Sequence, residues 1–75
     1  LDHLEINPCI PADWKGFKAQ RVWRGATFRI QVENPDGVMK GIKEIWLDGE
    51  KVEEIPVMES GTEHQVKIIM GNGGN

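Results

Sequence analysis

Cysteine is nearly missing from this 75-residue chain: Cys9 stands alone, so no internal disulfide can form. Small secreted domains are usually stapled by several bridges, and their lack here points to a reducing, cytoplasmic setting. No Asn-x-Ser/Thr sequon occurs, which agrees with that setting. No apolar run approaches the roughly 20 residues of a membrane span, and the start lacks the basic and apolar regions of a signal peptide. Basic residues are in deficit, nine Lys and Arg against twelve Asp and Glu. A net charge of −3 offers nothing to draw nucleic-acid phosphates. A sustained helical period, an internal repeat and a linker are also missing.

What is present suits one globular domain, with 39% apolar and 28% charged residues. A chain this short hides only about 60% of the surface its unfolded form exposes, so its stability is modest unless something else covers part of it. It begins at Leu1 rather than Met and reads as an accessory domain cut from a larger protein. Residues 1–71 form the expected domain, and the glycine-rich 72–75 the expected disordered tail.

Leu4-Glu5-Ile6 alternates and then meets Pro8 and Pro11, which forbid a helix and predict a short strand feeding an extended loop. Trp14 and Phe17 are its expected anchors. From Lys18 the period becomes two, predicting a strand to Arg24 with a turn or bulge at Gly25. Ala26 to Glu33 is the clearest strand, with Phe28, Ile30 and Val32 on one face. Asn34-Pro35-Asp36-Gly37 is turn chemistry. Ile42 to Leu47 and Glu50 to Val57 flank Asp48-Gly49, a hairpin signal, with Pro56 confining the second strand to an edge. His64 to Met70 closes the pattern, with Val66, Ile68 and Met70 on one face. Five to six short strands predict an all-β fold, a small antiparallel β-sandwich.

No catalytic motif emerges. Cys9 lies between prolines with no histidine near in sequence and reads as a buried small hydrophobe. His3 and His64 read as surface or structural, and with Cys9 they lack metal-ligand spacing. Asp36 and Asp48 occupy turn positions that favour Asp for backbone reasons. Glu50, Glu53, Glu54 and Glu59 read as solvated. Arg21, Arg24 and Arg29 read as partners of nearby acids. The tryptophans are more informative. Ile45 and Leu47 share one face of their strand, leaving Trp46 on the opposite, polar face beside Lys43 and Glu44. That placement suits a contact with another domain, partial burial within this one, or stacking on a sugar ring. Trp23 and Trp46 would be the platforms of a carbohydrate-binding module.

The residues also carry a resemblance. Leu4-x-Ile6-x-Pro8-Cys9-Ile10-Pro11-x-x-Trp14-x-Gly16-Phe17 resembles the start of the C-terminal domain of the disaccharide phosphorylases of glycoside hydrolase family 94, formerly glycosyltransferase family 36. These include the cellobiose, cellodextrin and chitobiose phosphorylases. Arg24-Gly25-Ala26-Thr27-Phe28-x-Ile30-x-Val32-x-Asn34-Pro35, Leu47-Asp48-Gly49, Ile55-Pro56-Val57, Gly61-x-x-His64-x-Val66 and Met70-Gly71 continue it to the end of the domain.

The resemblance implies a large bacterial enzyme with an N-terminal β-sandwich, an (α/α)6 barrel and a C-terminal jelly-roll-like β-sandwich. Such enzymes cleave a β-glycosidic bond with inorganic phosphate and invert the anomeric centre. It places the catalytic Asp and most of the phosphate site in the barrel, so no catalytic residue falls here. Phosphate is the nucleophile, so neither a cofactor nor a metal is implied. The implied partner is the rest of the parent chain, through an interdomain contact at Pro8, Ile10, Pro11, Trp14, Phe17 and Trp46. A homodimer of the parent is compatible with this; nucleic acid and membrane are not expected partners. Related C-terminal sandwiches occur in cyclic β-glucan synthases and, more distantly, in α-linked disaccharide phosphorylases, so the sugar stays open.

Overall fold

A computed structural model describes residues 3–71. The expected tail at 72–75 lies outside the described residues.

Seven strands and no helix make up the described chain: β1 (His3–Leu4), β2 (Gly16–Trp23), β3 (Ala26–Glu33), β4 (Ile42–Leu47), β5 (Glu50–Val52), β6 (Ile55–Pro56) and β7 (Glu63–Met70). Five of them form one sheet in the order β2-β3-β7-β4-β5, and β1 pairs with β6 in a second. The all-β expectation holds. No helix among the described residues is long and apolar enough to cross a membrane.

The alternation read in β3 is what builds the core. Ala26, Phe28, Ile30 and Val32 are all buried, and the outward Arg29 and Gln31 between them are exposed. Strand β7 repeats the pattern with Val66, Ile68 and Met70. Leu47 joins from β4, and Leu4 and Ile55 close the layer from the small sheet. Phe28, Ile55, Ile68 and Met70 are the largest fully buried apolar side chains. Each contributes about 1.5–3 kcal/mol by leaving water.

The turns follow local chemistry. Asp48 and Gly49 have φ of 50° and 88°, the positive pair that a two-residue hairpin between β4 and β5 requires. The Gly25 punctuation is likewise a two-residue turn, Arg24-Gly25, joining Trp23 to Ala26.

Three features depart from the strand-by-strand reading. The β3–β7 pair is parallel, whereas the other pairings are antiparallel. Residues 34–62 lie between these two strands, long enough for the crossover that a parallel pair needs. The single returning strand expected over 50–57 is two strands in different sheets. Ile55 is drawn into the core while Glu53-Glu54 carries the chain across, and Pro56, lacking an N–H, sits in the two-stranded sheet. Strand β2 starts at Gly16 rather than Lys18, because Gly16 and Phe17 already pair with Glu33 and Val32. Gly71, the last residue of the expected domain, is buried, and its N–H donates to Gly41 O at 3.3 Å.

Candidate functional site

The loop from Pro8 to Lys15 is ordered by one buried side chain of the next turn. Asn34, fully buried, donates through Nδ2 to Trp14 O (3.0 Å) and Val38 O (2.8 Å) and accepts from Val38 N–H (3.0 Å). Its own N–H donates to Lys15 O at 2.8 Å, and Ile10 N–H donates to Met39 O at 2.9 Å. The loops 8–15 and 34–40 therefore lie side by side. Between them they expose Trp14 (51%) and Met39 (63%), with Pro11 also at the surface.

The six residues expected to meet another domain separate here. Pro8 and Ile10 are buried within this domain, Ile10 in its core cluster, and Phe17 packs against that cluster from the inward face of β2. The exposed part of this loop falls to Pro11 and Trp14. Cys9, expected to be buried, is exposed; its neighbours Pro8 and Ile10 turn inward, and the extended chain turns Cys9 out.

Trp46 stands on the outer face of the five-stranded sheet, half-buried. Register places it between Lys67 of β7 and Lys51 of β5, and Nε1 donates to Glu44 Oε1 at 3.0 Å. Trp23 is on the inner face instead, 6.5 Å from the Phe28 ring, with the Arg24 guanidinium 5.3 Å from its own ring centroid. It packs against the core cluster from that face and stays partly exposed.

A cluster that sequence reading missed joins Asp48, His64 and Thr62. Asp48 Oδ2 lies 2.7 Å from His64 Nδ1, and His64 Nε2 lies 2.7 Å from Thr62 Oγ1. Thr62 Oγ1 also lies 2.5 Å from Glu59 O, so its single hydrogen goes to that carbonyl or to His64 Nε2 according to the His64 tautomer. His64 also stacks on buried Phe28, ring centroids 5.6 Å apart, so the cluster ties two turns to the core. The Asp48 carboxyl is held below its ordinary value, first by the Gln65 N–H and then by its hydrogen bond to His64. No sequence signal marked this trio, since its members lie on two separate turns and a strand. Among the described residues no His, Cys, Asp and Glu side chains group to hold a metal ion.

Residues 2–66 match the family model for the glycosyl hydrolase family 65 C-terminal domain. This chain belongs to that family. The C-terminal domain is 50% identical over 71 residues to an N,N'-diacetylchitobiose phosphorylase of Vibrio furnissii, covering 95% of this chain and 9% of that protein. A second N,N'-diacetylchitobiose phosphorylase, from Vibrio proteolyticus, is 51% identical over 91% of this chain and 9% of its own length. A 3-O-beta-D-glucopyranosyl-beta-D-glucuronide phosphorylase of Paenibacillus borealis is 42% identical over 87% of the chain, again 9% of that protein. The domain thus spans about a tenth of these relatives, and the resemblance to disaccharide phosphorylases read from its motifs holds.

Proposed function

We propose that this chain serves as the C-terminal accessory domain of a bacterial, cytoplasmic phosphorylase that cleaves β-linked di- or oligosaccharides with inorganic phosphate. In this reading the chain packs on the catalytic barrel and carries no active site of its own. The observation that carries it is the half-identity to two chitobiose phosphorylases along nearly the whole chain, within a tenth of their length. The surface supports it: Pro11, Trp14 and Met39 leave apolar side chains in water from two adjoining loops that Asn34 holds in place. Such a patch gains by being covered.

The test uses the whole parent enzyme. Phosphate-dependent cleavage of chitobiose and cellobiose by that enzyme checks the activity. Trp14→Ala in the parent is expected to lower the melting temperature by several degrees while KM holds. A changed KM with unaltered melting overturns the structural role.

A further inference from the structure

We propose that the outer face of the five-stranded sheet is a binding surface for a neutral, β-linked oligosaccharide, with Trp46 as its stacking platform. Cross-strand register aligns Lys18, Gln31, Lys67, Trp46 and Lys51 in one row across all five strands. Gln20, Arg29 and Gln65 form the adjoining row over β2, β3 and β7. Two depressions of about 490 and 250 Å³ follow these rows and share Gln31 and Gln65, so they run into each other. The first reaches Lys18 and Gln20, the second Trp46 and Lys67. From Lys18 to Trp46 the row crosses three strand spacings, about 14 Å, the length of a short oligosaccharide rather than of one ring.

The chemistry of the lining selects the occupant. Planar amides present paired donors and acceptors, and a guanidinium adds further donors, suited to sugar hydroxyls. The indole supplies the flat apolar face against which a pyranose ring can lie. Three of these groups are held in place by acids two residues away on the strand or on the neighbouring strand. Gln31 Nε2 donates to Glu33 at 2.8 Å, Trp46 Nε1 to Glu44 at 3.0 Å, and Arg29 pairs with Glu63 at 2.5 Å. Fixing them beforehand removes part of the ordering cost of binding. The same acids offset the cations: Lys67 lies 3.9 Å from Glu33 and Lys51 3.9 Å from Glu44. A face offset in this way carries little net charge with which to draw phosphates, and its amide-rich lining is too polar for an apolar protein surface.

The choice of sugars rests on the proposed function; the experiment on the 75-residue chain does not. Isothermal calorimetry with cellotetraose and chitotetraose is expected to give saturable binding to at least one. Trp46→Ala is expected to weaken it about tenfold and Gln65→Ala several-fold, while Trp14→Ala leaves it unchanged. Circular dichroism checks that each variant is folded, and should Trp46→Ala fail, the solvent-facing Gln20→Ala and Gln65→Ala carry the comparison. Absence of saturable heat with either sugar up to about 10 mM overturns the proposal. So does undiminished binding by folded Trp46→Ala, or concentration-dependent dimerisation that Trp46→Ala abolishes, which assigns the face to a second copy. A parent that phosphorolyses chitobiose while this domain ignores both sugars leaves the proposed function standing and removes only the binding face.

Discussion

Asp48 and His64 meet at 2.7 Å across the end of the β4–β7 pair, and the same carboxylate accepts the Gln65 N–H at 2.9 Å through its other oxygen. A turn residue chosen for positive φ thereby also fastens its hairpin to the neighbouring strand. Through His64 and Thr62 the connection runs on to Glu59 O in the turn before β7.

Because the Asp48 carboxyl is held below its ordinary 3.8 in the folded state, it contributes stability above that value and loses it as pH falls through the lowered one. Asp48→Asn tolerates the positive φ and retains the side-chain acceptor for Gln65 N–H, but removes the charge. The wild type is therefore expected to be the more stable at neutral pH, and the gap to close in acid. Melting curves from about pH 2 to pH 7 measure it; a gap independent of pH would show that the charge is not what matters.

Asn34 satisfies three backbone groups from a fully buried position. Asn34→Ala leaves Val38 N–H without its acceptor and two carbonyls without their donor, an expected loss of about 2–4 kcal/mol in denaturant unfolding. Asn34→Asp should cost more, since it aims a carboxylate at the Trp14 and Val38 oxygens. An aspartate variant as stable as the alanine one would count against this geometry.

Gly16 sits where the start of β2 passes the end of β3, at φ +154°, and a Cβ there would lie 2.1 Å from Val32 O. The neighbour is backbone and cannot swing aside, so Gly16→Ala is expected to cost about 3 kcal/mol or more. Gly49 offers the contrast: its φ is +88° but nothing lies within 4 Å of the added Cβ, leaving only the conformational cost of about 1–2 kcal/mol. Parallel thermal melts of the two variants rank them, and equal losses would refute the steric argument.

Cys9 is exposed in the folded chain, so a thiol reagent should label it fully without denaturant. Slow labelling that accelerates only on unfolding would return it to the interior, where its proline-flanked sequence had suggested it belonged.

Local rules were sufficient wherever one face of a strand met the core. The period of two in Ala26 to Glu33 named the buried side chains of β3, and Asp48-Gly49 named its hairpin, because both depend on residues adjacent in the chain. The motif order likewise pointed to the phosphorylase relatives. The candidate sites were less legible. Trp46 was rightly placed on the polar face of its strand, but nothing in its own segment announced Gln31, Lys67 and Lys51 as its row-mates. Trp23 looked equivalent in sequence, and only the register of β2 against β3 puts it on the inner face near Phe28.

The sequence by itself determined an all-β domain, its strongest turns, the inward side of β3 and β7, and the family, since each is written in spacing along the chain. Tertiary structure alone decided the parallel β3–β7 pair, the division of 50–57 between two sheets, the exposure of Cys9, and the meeting of Asp48, His64 and Thr62. These depend on which distant segments are brought into register. That choice is made by the burial of residues such as Ile55 and by backbone groups finding partners far away in the chain, and no local pattern encodes it.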